Sequence, residues 1–178
     1  MKRAGIYYNE ERRIMAKSRY EKYIVRRPVP PAHAGPDEGI RAKDWVNTGA
    51  LVLCDKKLFK GSSSIVEYGM VIGDSPRQIV SGGPQPHTHD YDELFIFLGT
   101  DPKDVYNLGA EVEMWLGEGK ELEKIIINTS SSLFIPAGLA HLPQIWKNVT
   151  RPIIYLLVMF GSTDYVFRPA SVEGRPMA

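Results

Sequence analysis

The chain has 178 residues, 43% hydrophobic and 24% charged, with a formal net charge of +1. That length buries a sizeable core within one domain without disulfides, and that composition excludes a disordered chain. The near-neutral charge gives no reason to expect a nucleic-acid or membrane partner, and the single cysteine, Cys54, excludes an internal disulfide.

Residues 1–27 are basic, with nine Lys/Arg against three Glu, or +6, while the other 151 residues carry 13 basic and 18 acidic side chains, or −5. This arm has no groove-reading motif. It reads as a solvated segment lying against an acidic body or a neighbouring subunit, with Tyr7, Tyr8, Tyr20 and Tyr23 as packing anchors. It lacks an apolar leader core, and no stretch reaches the length of a membrane span, so the expected location is the cytoplasm. Pro28-Val-Pro-Pro31 and Gly35-Pro36-Asp37 then form an extended linker that neither a helix nor a central strand tolerates. The expected organisation is an arm and linker over 1–44, a β-barrel domain over 45–168 and a tail over 169–178.

From residue 45 the chain reads as short strands at 45–54, 64–72, 93–98, 110–116, 122–127, 132–135 and 152–160. Gly73-Asp-Ser-Pro76, Gly82-Gly-Pro84, Asp101-Pro102 and Gly117-Glu-Gly119 separate them. Thirteen prolines and sixteen glycines suit many turns. Such spacing predicts an all-β sandwich or barrel, and the lack of an internal repeat predicts a single one. Cys54 ends the apolar run Leu51-Val-Leu-Cys54 and is expected to be a small buried hydrophobe. The last strand, Ile153-Ile-Tyr-Leu-Leu-Val-Met-Phe160, is apolar on both faces, so the arm or a second subunit must cover it; a homodimer is expected.

The chemistry concentrates in His87-Thr-His89 followed by Glu93, with His141 downstream behind Pro136-Ala-Gly138. Alternation along a strand puts 87, 89 and 93 on one face if a single ladder runs through them. Three imidazoles and a carboxylate converging on a point form a first-row metal site, and a glutamate buried among histidines without a cation would be a costly charge. The fourth histidine, His33, falls in the linker and is expected to be inert. Pro136 stiffens a turn, and Gly138 supplies permissive backbone just before His141.

The blocks Gly82-Gly83-x3-His87-x-His89-x3-Glu93-x5-Gly99 and Pro136-x-Gly138-x2-His141 resemble the paired motifs of the cupin superfamily, over residues 45 to 160. The resemblance implies a double-stranded β-helix, or jelly-roll, barrel with an extended N-terminal arm. It also implies a metal held inside by His87, His89, Glu93 and His141. The chain departs from the pattern at Ser81 and Ser130, where glycine is usual, at Ile145, where asparagine is common, and at Gly99, which comes one residue early. All four ligands are intact.

Three nitrogens and one oxygen suit Fe, Mn, Co, Ni, Cu or Zn as a divalent ion, and four protein ligands leave octahedral positions open for chemistry. Such a centre carries a charge of about +1, which favours an anionic or enolisable small molecule that chelates through two oxygens. Phe95 and Phe97 share the face of Glu93 and make the cavity partly aromatic, while Tyr155 and Met159 share a face of the last strand. Glu111, Glu113 and Trp115 are expected outside, and Val112, Met114 and Leu116 inside. Tyr91, Gln144 and Tyr155 are the candidate catalytic groups. The expected function is a metal-dependent enzyme, leaning to a non-haem oxygenase, with an isomerase, lyase or decarboxylase, or a non-catalytic binding protein, as alternatives.

Overall fold

The computed structural model describes residues 19–26, 28–29, 50–75 and 86–176. His33, Gly82, Gly83, most of the basic arm and most of the linker, including the expected 44/45 boundary, lie outside the described residues. The strands are β1 (Leu51–Cys54), β2 (Ser64–Val71), β3 (His87–Thr88), β4 (Asp92–Leu98), β5 (Asn107–Leu116), β6 (Glu123–Thr129), β7 (Ser131–Ile135), β8 (His141–Lys147), β9 (Ile153–Phe160) and β10 (Arg168–Pro169). They form two antiparallel five-stranded sheets, one ordered β1-β2-β9-β4-β7 and the other β10-β3-β8-β5-β6. From β6 to β10 each successive strand changes sheet, which is the jelly-roll pattern. No helix among the described residues is long and apolar enough to cross a membrane.

Alternation explains which side chains line the interior. In β2, Ile65, Glu67, Gly69 and Val71 are buried, and in β4, Glu93, Phe95 and Phe97 are. In β5, Val112 and Met114 face inward, opposite Trp146 and Gln144 of β8. Phe95, Phe97, Leu108, Val112, Met114, Ile135, Trp146 and Ile153 make one apolar cluster between the sheets. Aromatic rings interlock within it: Phe97 lies 5.6 Å from Trp146 and 5.9 Å from Tyr155, centroid to centroid. Glu113 is on the outer face as expected, yet its surroundings almost cover it: Trp115 Nε1 donates to it at 2.8 Å and Lys147 Nζ at 2.5 Å. Cys54 is only half-buried, in contact with the Ser62 hydroxyl at 3.3 Å, because a bulge shifts the register at the end of β1.

Strands β3, β8 and β10 were not among those expected. Pro143 breaks the donor pattern of β8, and the strand accommodates it where its register with β5 shifts between Met114 and Leu116. The pairs formed by β10 are Arg168 with Thr88 and Pro169 with His87, so chain assigned to the tail extends a sheet. Arg175, also from that segment, is buried and donates to the carbonyls of Leu142, Gly117 and Ser171. The two departures from motif glycine and spacing meet at one point. Ser130 Oγ accepts from Gly99 N–H at 3.0 Å and donates to the Val105 carbonyl at 2.6 Å. A Cβ on Gly99 would lie 2.1 Å from the Asn107 carbonyl oxygen, so only glycine fits there.

Candidate metal centre

The H-x-H-x3-E run does not lie on one ladder. β3 ends at Thr88, the chain changes sheets, and β4 begins at Asp92 in the opposite sheet. His87 pairs directly with His141 across β3 and β8, Glu93 projects from the facing sheet, and His89 sits in the crossing between them. Convergence therefore comes from two inward faces meeting. The second motif is bonded to the first at this crossing: Gly138 N–H donates to the His89 carbonyl at 2.8 Å and Ala137 N–H to Asp92 Oδ1 at 2.9 Å. Gly138 has φ +86°, as a turn of this kind requires.

The ligand nitrogens of His87, His89 and His141 all lie within 4.8 Å of one another. Glu93 Oε2 is 3.2 Å from both His89 Nε2 and His141 Nε2, and these three side chains are almost fully buried. Backbone carbonyls orient two of the rings. His89 Nδ1 meets the Tyr91 carbonyl at 2.6 Å, and His141 Nδ1 meets the Leu139 carbonyl at 3.0 Å. A carbonyl only accepts, so each Nδ1 carries a proton and each ring turns its Nε2 inward, where a ring without a second proton presents a lone pair. His141 Nε2 is buried without a hydrogen-bond partner. With neither Nε2 protonated, two lone pairs and a carboxylate would face each other in a buried space, an arrangement that repels itself unless a cation or extra protons join it.

The electrostatics respond accordingly. Burial works against the charged form of His89, but hydrogen bonding and charge from Glu93 outweigh it and leave the pKa raised. Burial likewise opposes ionisation of Glu93, yet the neighbouring His141 and His89 hold its pKa below the usual carboxylate value.

The three candidate catalytic groups all reach this interior. Tyr91 stacks on His89, with centroids 4.1 Å apart and planes 1° from parallel, and its hydroxyl is buried without a partner. Burial, then the charges of Glu93 and Glu67, push that hydroxyl far up. Gln144 faces inward beside Met114, with Nε2 buried and unpartnered. Tyr155 packs 6.1 Å from Phe95, and burial followed by the same two carboxylates raises its pKa well above 10. Phe95 itself stands edge-on to His141 at 5.9 Å, so the apolar wall touches the histidines.

Sequence reasoning missed three residues. Glu67 is buried on the inward face of β2 and accepts a hydrogen bond from the Tyr165 hydroxyl. Burial raises its pKa to about 7, with further upward pushes from Glu93 and Asp55 against a smaller downward pull from Tyr165. The third, Phe167, lies against His87 at 4.7 Å. One signal was available for Glu67: it is the lone charge in the inward register Ile65, Glu67, Gly69, Val71 of an otherwise apolar strand.

No family model matches the sequence, and no curated protein matches it. Solved structures do. Oxalate oxidase in complex with the substrate analogue glycolate is similar with a TM-score of 0.50 at 12% identity, over 92% of this chain and 73% of that one. A DMSP lyase is similar with a TM-score of 0.41 at 18% identity, over 69% of this chain and 52% of that one. Recombinant oxalate oxidase with glycolate gives 0.48 at 13% identity, over 83% and 63%. This chain therefore spans about half the length of the lyase and under two thirds of that oxidase. At such identities the likeness speaks for the fold alone. With two facing antiparallel sheets and a histidine triad between them, the fold of this chain is that of the cupins.

Proposed function

We propose that this chain is a metal-dependent enzyme acting on a small anionic or enolisable molecule, with His87, His89, Glu93 and His141 as the ligands. One observation carries this reading: the buried Nε2 atoms of His89 and His141 both face Glu93 Oε2 at 3.2 Å, with their Nδ1 atoms bonded to backbone carbonyls. That donor set fits a first-row divalent ion such as Fe, Mn, Zn, Co, Ni or Cu. Bound there, such an ion supplies Lewis-acid polarisation, or redox chemistry if it is redox-active, to a chelating oxyanion. The chain's own residues do the rest. Glu93 leaves the centre at about +1, which favours an anion. Phe95 and Phe97 keep one wall dry, and Tyr91 Oη and Gln144 Nε2 offer unpartnered polar contacts to whatever enters.

Two reaction classes compete. A non-haem oxygenase suits the aromatic cavity. An isomerase, lyase or decarboxylase needs a proton-handling group, and the buried Glu67 favours this second class. Protein stripped and reloaded with Zn²⁺ or Mn²⁺ is expected to bind about one ion per chain. His87→Ala, His89→Ala and His141→Ala should each abolish that binding while far-UV circular dichroism stays the same. Unchanged metal content in all three variants rules the assignment out. Oxygen uptake by Fe(II)-loaded protein in the presence of small oxyacids supports the oxygenase class, and its absence there opposes that class.

We also propose a homodimer through the outer face of the β1-β2-β9-β4-β7 sheet. Ile72, Leu98, Phe134 and Phe160 are exposed on strands of that sheet or at their ends, beside the half-buried Ile154, Leu156 and Val158. Sedimentation equilibrium of the full chain tests this; a monomer at all concentrations refutes it.

A further inference from the structure

The carboxyl that the metal reading leaves unused is Glu67. Its position is set by β-sheet register: Glu67 pairs with Leu157 of β9, and Leu157 pairs with Phe95 of β4, so it stands two strands away from the strand of Glu93 with its side chain on the same inner surface. The next inward residue, Gly69, has no side chain and pairs with Tyr155 across the ladder. Among the described residues no Lys, Arg or His pairs with it; its hydrogen bond comes from a phenol, Tyr165. A buried carboxylate with no cation is expensive, and strands of this kind usually carry an apolar residue at such a position. We propose that Glu67, held by Tyr165, is the acid–base residue of the cavity, and that the substrates are α-keto carboxylates from which it removes a proton on the carbon beside the keto group.

This proposal rests on the metal reading above for the orientation of the substrate. For an α-keto acid the step is balanced within the substrate and this side chain. The Glu67 carboxylate takes the hydrogen on the carbon beside the keto group as a proton. The C–H electron pair becomes the C=C bond of an enolate, and the carbonyl π pair moves onto oxygen. The resulting carboxylic acid returns the proton to carbon. No electrons leave the substrate, so no oxidant is needed. The surrounding groups suit the role. Burial pushes the Glu67 pKa up to about 7, the hydrogen bond from Tyr165 after β9 pulls against that, and the charges of Glu93 on β4 and Asp55 after β1 push it further up. Tyr91 before β4 and Tyr155 on β9 are phenols whose own ionisation the Glu67 charge opposes. Glu93, by contrast, is committed to imidazoles and is not free to move a proton.

The test uses the full chain loaded with redox-inert Zn²⁺, with pyruvate and oxalate as probes, oxalate being a planar mimic of the pyruvate enolate. Wild type is expected to bind the metal, to wash deuterium from D2O into the pyruvate methyl group by proton NMR, and to take up protons on binding oxalate, measured by calorimetry in two buffers of different ionisation enthalpy. Glu67→Gln should keep metal and oxalate binding, lose the proton uptake and slow deuterium wash-in by about 100-fold or more. Tyr165→Phe removes the hydrogen bond that favours the carboxylate, so the acid limb of the wash-in pH profile should move to higher pH. Zinc-loaded wild type that neither exchanges pyruvate nor binds oxalate overturns the proposal, as do proton uptake and exchange unchanged in Glu67→Gln. Failure of wild type to bind zinc is a different result, and it overturns the metal reading itself.

Discussion

Strand β4 runs through two unlike halves of the interior. At one end Glu93 meets His89 and His141; at the other Phe97 is fully buried against Trp146 and Tyr155. The aromatic half gains stability from every side chain it removes from water. The polar half does the opposite, gathering lone pairs and two carboxyls, Glu93 and Glu67, where burial disfavours charge. Within the polar half the two acids differ again: imidazole partners hold the pKa of Glu93 down, and burial raises that of Glu67. Chemistry is placed where the fold bears a cost, and the adjoining aromatic cluster offsets it.

The largest effect should come from breaking the stabilising half. Phe97→Ala is expected to lower unfolding free energy by about 3–5 kcal/mol, read from urea denaturation. A gain or no change would mean that the cluster is not what holds the sheets together. Metal addition sharpens the other side. At a hundredfold excess over its dissociation constant, a divalent ion should stabilise wild type by about 2.7 kcal/mol and His141→Ala not at all.

A smaller effect separates the two acids. Glu67 has a folded pKa of about 7 against an ordinary value of 4.5, so between those values the native state binds more protons than the unfolded one. Stability from this group therefore falls as pH rises through that window and stays low above it. In metal-free protein, Glu67→Gln should add about 1–3 kcal/mol at pH 8 and much less at pH 5, by chemical denaturation at both. An equal effect at the two pH values would show that the carboxyl is not buried as described. The smallest change is expected from Arg168→Ala, which removes an exposed ion pair to Asp90. Its melting midpoint should match wild type within replicate scatter at physiological salt.

Local pattern made much of this molecule legible. Alternating apolar residues located β2, β4, β5, β7 and β9 to within a few residues, since burial on one face of a strand leaves a period of two in the chain. The four converging side chains were legible too, because imidazoles and a carboxylate have few structural reasons to recur at ligand spacing. β8 was not, because Pro143 disguises a strand whose bulge is set by its partner β5. Nor was the change of sheet between Thr88 and Asp92, which sets Glu93 on one wall and His87 and His141 on the other instead of placing all on one face. What the sequence by itself determined is which residues could pay for a buried polar cluster: the type, spacing and face of each donor. Only the tertiary structure decided how β2 and the segment after β9 come together to set Tyr165 on Glu67, because strand pairing and sheet order join residues that no local period relates.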